Sequence, residues 1–167
     1  MSGLRFNGND TTVVCVVTAC GRSVILKEGK SVHGYLIRTF VRMSLIINTA
    51  LIDMYSKCQR TDIARGVFER LPTRNLVCWN AMILGHCLSG NPRDGLKLFA
   101  QMHAKIKLIE SGIDDDNSIE LGEGVLPDEV TYIGVLYACL QEGLLPQGMN
   151  YFNQMSDVFG VKPNFAH

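Results

Sequence analysis

The chain has no Cys-x-x-Cys pair among Cys15, Cys20, Cys58, Cys78, Cys87 and Cys139, so neither a zinc ribbon nor a dithiol redox motif is supported. It has no apolar run near the ~20 residues that a membrane-spanning helix needs, and no secretory leader is evident at its start. The six thiols are therefore expected to be free, buried and packed as small hydrophobes in a reducing compartment, where the Asn9-Asp10-Thr11 sequon carries no weight. Charge is scarce too. Charged residues make up 19% and hydrophobic ones 47% of 167 residues, which excludes a disordered chain and is ample for a buried core.

Net charge is also absent, with 16 Lys+Arg against 16 Asp+Glu, but the two signs are not mixed evenly. Residues 1–75 hold 11 basic against 5 acidic side chains, and residues 76–167 hold 5 against 11. A basic first half can meet phosphates, whereas the second half cannot do so by charge alone.

What the chain does have is an internal repeat. A small residue, an aromatic or His four positions on, and an aliphatic three further recur as Gly29/His33/Leu36, Ala64/Phe68/Leu71, Gly95/Phe99/Met102 and Gly148/Phe152/Met155. Positions i, i+4 and i+7 share one face of an α-helix. Successive copies lie 35, 31 and 53 residues apart, and the upstream aliphatics Val17, Ile52, Ile83 and Leu136 keep the same intervals. Two landmarks moving together define a two-helix unit in tandem. Gly90-Asn91-Pro92 and Gly143-Leu144-Leu145-Pro146 fall where such a unit turns, with Gly able to end one helix and Pro to open the next. A hairpin of this kind cannot bury its apolar faces alone, so stacked neighbours supply the core. The expected fold is an all-α solenoid of tandem helix-turn-helix repeats.

The phrases inside the units resemble pentatricopeptide repeats of the plant PLS subclass, in which long, short and standard units alternate. The short type is matched by Leu51-Ile52-Asp53-Met54-Tyr55-Ser56-Lys57-Cys58 with Ala64-Arg65-Gly66-Val67-Phe68. Trp79-Asn80-Ala81-Met82-Ile83 with Leu96-Lys97-Leu98-Phe99 is similar to the standard type. Val130-Thr131-Tyr132, Ala138-Cys139 and Lys162-Pro163-Asn164 resemble the long type, as do Ala19-Cys20-Gly21 and Gly29-Lys30-Ser31-Val32-His33. The resemblance implies units at 10–44 (long), 45–75 (short), 76–128 (standard) and 129–164 (long), with 1–9 the tail of a preceding repeat and 165–167 the start of another. Ends that cut across repeats lead us to expect a fragment or truncated form.

Repeats of this kind read single-stranded RNA one base per unit, with two or three side chains. The resemblance implies that Thr49 with Asn75 reads adenine and Asn80 with Asp128 reads uracil, giving 5′-AU-3′. The long units offer Val14 with Ser44, and Ile133 with Asn164; Val and Ile cannot hydrogen-bond a base edge, so these units are expected to be spacers or weakly selective. Ile46, Val77 and Val130 are expected to sandwich bases, with Thr11 departing from the pattern, and Arg22 and Lys57 to meet phosphates where Leu88 and Gln141 cannot. Trp79 and His33 are expected to be packed rings, and adjacent His86 and Cys87 point to different sides of a helix and do not form a metal pair.

Proteins of this subclass work in mitochondria or chloroplasts in RNA processing, often guiding C-to-U editing, and some partner other processing proteins. No His-x-Glu and no Pro-Cys-x-x-Cys occurs, so zinc-assisted deamination lacks its ligands and its general acid/base. No catalytic residue, cofactor, metal or membrane contact is expected, nor is a transit peptide visible. The competing readings are a protein-binding helical scaffold and a fragment without independent function.

One segment interrupts the register. Met102 to Asp128 takes 26 residues where Met155 to Asn164 takes 9, which places an acidic insertion near 103–124. Asp114-Asp115-Asp116 suggests a calcium loop, but counting from Asp114 the sixth place is Ile119 instead of Gly and the twelfth Val125 instead of Glu. We expect a solvated acidic loop, standing immediately before Asp128 and threatening that residue's placement.

Overall fold

The computed structural model describes residues 10–39, 43–110, 125–157 and 160. Eight helices follow one another: α1 (Asp10–Arg22), α2 (Leu26–Thr39), α3 (Leu45–Lys57), α4 (Thr61–Glu69), α5 (Leu76–Leu88), α6 (Pro92–Glu110), α7 (Glu129–Glu142) and α8 (Leu145–Asp157). No strand occurs among the described residues. Consecutive pairs form hairpins, and the first helices α1, α3, α5 and α7 pack on one another in series. The second helices pack mainly on the first helices beside them, and α6 meets α8 through the side chains of Phe99 and Tyr151. A tightly packed layer beside a looser one bends the stack, with the first helices on the inner side. The fold is an α-solenoid.

Each hairpin turns in the same way. Val24, Gln59, Gly90 and Gly143, spaced by the repeat intervals, all adopt positive φ, between 54° and 77°. The next residue but zero in each turn closes the helix from five positions back: Ile25 N–H donates to Cys20 O, Arg60 to Tyr55 O, Asn91 to His86 O and Leu144 to Cys139 O, at 2.8–2.9 Å. This is the Schellman closure, whose left-handed residue is commonly glycine. Val24 occupies it against the crowding of its own β-branched side chain. Replacing Val24 by Gly is therefore expected to stabilise the chain by about 1 kcal/mol, seen as a higher urea midpoint. A lower midpoint would show that the Val24 side chain contributes packing that outweighs its backbone.

The small residue of the second helix permits close approach. A Cβ on Gly95 would lie 2.7 Å from Cys87 Sγ and 3.1 Å from Ile83 O, so α6 presses on the α5 backbone itself. The aromatic that follows it reaches forward into the next unit. Phe68 meets Trp79 edge-on at 5.0 Å, and Phe99 meets Tyr132 at 5.8 Å as well as Tyr151 at 5.3 Å. Trp79 and Tyr132 are equivalent, 53 residues apart, and almost completely buried. In the second hairpin that position is Asn48, and the rung shifts: His33 stacks on Tyr55 at 5.5 Å, its Nδ1 2.8 Å from the Tyr55 hydroxyl. Both Trp79 and His33 are thus packed rings, as the repeat position implied.

Two expectations need correction. Five of the six free thiols are buried, but Cys15 is exposed. Cys15 lies between Val13 and Val17, which carry the buried stripe of α1, so it falls on the opposite side. The insertion is not a loop throughout: α6 runs on to Glu110, because residues 101–110 contain no Gly or Pro and Ile106 continues the apolar face into the core. Residues 111–124, with the Asp114–Asp116 run, lie outside those described, as do residues 1–9, Asn164 and residues 165–167.

Candidate nucleic-acid interface

The last residue of each unit has a job before any ligand arrives. Ser44, Asn75 and Asp128 are the N-caps of α3, α5 and α7, their side-chain oxygens accepting the backbone N–H of Ile47, Cys78 and Thr131 at 3.4, 3.0 and 2.9 Å. Ser, Asn and Asp are favoured there because they satisfy amides that the first turn leaves unpaired. Helix capping thus limits the chemical choice at this position to short polar side chains. It was legible in the sequence as a Ser, Asn or Asp directly before an apolar helical run, and Asp128-x-x-Thr131 in addition forms a reciprocal capping box, with Asp128 N–H donating to Thr131 Oγ1 at 3.1 Å.

Thr49 and Asn80 lie at equivalent places in α3 and α5, one turn inside the cap. Asn80 Nδ2 donates to Asp128 Oδ1 at 2.9 Å, and Asn80 Oδ1 accepts from the Thr131 hydroxyl at 2.6 Å. The structure therefore brings Asn80 and Asp128, 48 residues apart at the two ends of one unit, into direct contact in spite of the insertion between them. Val125 and Pro127 are buried and re-enter the stack ahead of the cap. Asn80 is only 7% exposed and Thr131 fully buried.

The pair in the short unit is joined indirectly. The Thr49 hydroxyl donates to Leu45 O at 2.8 Å and lies 3.0 Å from Cys78 Sγ, while the Cys78 backbone N–H donates to Asn75 Oδ1. Cys78 is wholly buried, and that burial pushes its thiol above the ordinary range. It is a neutral thiol between the two residues. The Thr49 back-bond to the preceding turn is the structural role open to any helical threonine. It also commits the single hydroxyl proton and leaves oxygen lone pairs facing outward from that bond.

Beside these pairs runs a row of aliphatics. Ile46, Val77 and Val130 are 64%, 59% and 42% exposed, each two residues after the cap of its helix. Thr11, in the same slot of α1, is exposed and polar. Val14 and Ile133, at the Thr49 place in α1 and α7, are half-buried. At the far end of the first helices Arg22 and Lys57 are exposed, where Leu88 and Gln141 stand in the other two units. Lys57 pairs with Asp53 on its own helix at 2.6 Å, an exposed contact worth under ~1 kcal/mol that a phosphate can displace. Three further basic side chains of the first half are engaged. Arg60 and Arg65 pair with Asp62 and Glu69, and Arg74 is buried over the Phe68 ring, donating to Phe68 O and Glu69 O at the end of α4.

His86 is buried, and neither ring nitrogen has a partner among the described residues. Its pKa is lowered from 6.5, chiefly by burial, with Asp94 opposing and Arg65 adding to the shift. Cys87 is turned the other way, its Sγ donating to Gly134 O, and burial pushes its thiol up to about 11. The two side chains do not share a ligand site. No group of three potential metal ligands occurs among the described residues.

Residues 49–76 and 77–105 match the PPR repeat model. A pentatricopeptide repeat-containing protein of Arabidopsis thaliana is 48% identical over 162 residues, covering 97% of this chain and 27% of that protein. The pentatricopeptide repeat-containing protein ELI1, chloroplastic, of the same plant is 34% identical, with 95% and 22% covered. The chain thus spans about a quarter of the length of these curated relatives. Among solved structures, the maize pentatricopeptide repeat protein PPR10 in complex with an 18-nt psaJ RNA element superposes with a TM-score of 0.72 at 17% identity, over 96% of this chain and 21% of that one. The helical-repeat fold is shared.

Proposed function

We propose that this chain is a segment of a plant pentatricopeptide repeat protein of the PLS subclass, and that it binds single-stranded RNA along its first-helix layer within an organellar RNA-processing or editing specificity factor. The observation that carries the reading is the Asn80–Asp128 hydrogen bond, which joins the two ends of one unit across an insertion, beside the exposed row Ile46, Val77 and Val130. Bases seated between successive aliphatics of that row would present their edges to the paired polar residues.

The hydrogen-bond commitments then select bases by polarity. One Asn80 N–H goes to Asp128 and its oxygen to Thr131, so it offers a donor; Asp128 Oδ2 offers an acceptor. Uracil answers with the O4 acceptor and the N3–H donor. Thr49, its proton held by Leu45 O, offers an acceptor, and Asn75, its oxygen held by Cys78 N–H, offers donors. Adenine answers with its N6 amino group and N1. Cytosine shares that polarity, so purine preference in the short unit comes from ring size. The two units read AU in succession. With Leu88 and Gln141 at two of the four phosphate places, affinity is modest.

Titration of labelled single-stranded RNAs with and without an AU step, at two salt concentrations, tests this. Tighter binding to the AU strand that weakens as salt rises is expected. Absence of salt-sensitive binding to every RNA would refute RNA recognition.

A further inference from the structure

Thr131 belongs to the unit after the proposed uracil reader and faces no solvent, yet it holds both members of the reading pair. Its hydroxyl lies 2.6 Å from Asn80 Oδ1 and 2.9 Å from Asp128 Oδ1, and accepts the Asp128 N–H at 3.1 Å. A hydroxyl has one proton. The shorter contact to Asn80 takes it, which leaves the Asp128 carboxylate to receive Asn80 Nδ2 and the Thr131 backbone N–H.

We infer that Thr131 is a specificity-determining positioning residue: its buried hydroxyl fixes which end of the Asn80 amide faces a base. The inference rests on the uracil reading above and extends it to a residue that touches no RNA. An amide can turn over about its last torsion and exchange donor for acceptor. Donation from Thr131 to Oδ1 and acceptance by Asp128 from Nδ2 together hold one orientation, in which a donor is left for O4 of uracil. Without the hydroxyl, Asn80 Oδ1 loses its partner in a buried setting and the flipped amide, presenting an acceptor, becomes accessible. That acceptor suits the N4 amino group of cytosine. Cys78 stands in the same place for the short unit, where its thiol contacts Thr49 rather than an amide, so no orientation is at stake.

The test compares Thr131→Val, Thr131→Ala and Thr131→Ser in the intact chain, using RNAs that differ only by uracil or cytosine at the nucleotide after the adenine, with thermal unfolding as a fold check. The wild type is expected to prefer uracil, Thr131→Ser to keep that preference, and the Val and Ala variants to lose about fivefold or more of it while binding the cytosine RNA as well as before. A uracil-to-cytosine ratio unchanged in folded Val and Ala variants would overturn the inference, as would an equal loss on both RNAs, which marks a purely structural threonine. A wild type without any uracil preference would instead sink the base-reading assignment itself, and is distinguished by needing no variant.

Discussion

Trp79→Ala is expected to lower the stability of the chain by about 3–5 kcal/mol, the usual cost of deleting a large aromatic from a packed core, measured as the shift in a urea unfolding curve. The indole is 1% exposed and forms the rung from Phe68 in one unit to the first helix of the next. In a solenoid each unit contacts only its neighbours, so the loss falls on a single interface. The transition should therefore broaden or split as well as shift, because units 10–75 and 76–157 no longer unfold together. Trp79→Phe should cost under about 2 kcal/mol: it keeps the edge-on rung, and it removes an indole N–H that is buried without a partner. A Trp79→Ala midpoint within experimental error of the wild type would show that the aromatic rung does not couple the units.

The second large effect concerns recoding. The double substitution Asn80→Thr with Asp128→Asn reproduces at this site the Thr49 and Asn75 pair. Thr at position 80 would back-bond to Leu76 O as Thr49 does to Leu45 O, and Asn is as good a cap as Asp, so the helices should be undisturbed. The polarity offered to the base then reverses from donor-plus-acceptor to acceptor-plus-donor. Preference should move from AU to AA by at least tenfold, the size expected when a buried pair meets the wrong edge. Loss of binding to both RNAs in a folded variant would mean that the two polar positions do not act as a replaceable pair.

The solenoid was legible because its signal is a relation between positions. Two sets of apolar landmarks kept intervals of 35, 31 and 53 residues, and the left-handed turn residues obey the same intervals. Gly90 and Gly143 announced their turns; Val24 and Gln59 did not, since neither side chain favours positive φ and only the repeat register places them there. The insertion was legible as surplus length. Its helical beginning has a sequence signal in the lack of Gly and Pro over residues 101–110, which the acidic residues that follow mask. At the candidate site, the resemblance supplied Thr49, Asn75, Asn80 and Asp128. The capping roles of Asn75 and Asp128 follow from their place before apolar helical runs, but the part played by Thr131 and Cys78 depends on distances of about 3 Å to Asn80 and Thr49, which no periodicity encodes.

A crystal structure of this chain with a short RNA containing AU tests the base-reading arrangement most directly. Adenine is expected within hydrogen-bond distance of Thr49 and Asn75, uracil within hydrogen-bond distance of Asn80 and Asp128, and Val77 between the two rings. RNA lying along the second helices, or bases turned away from those four side chains, would contradict it.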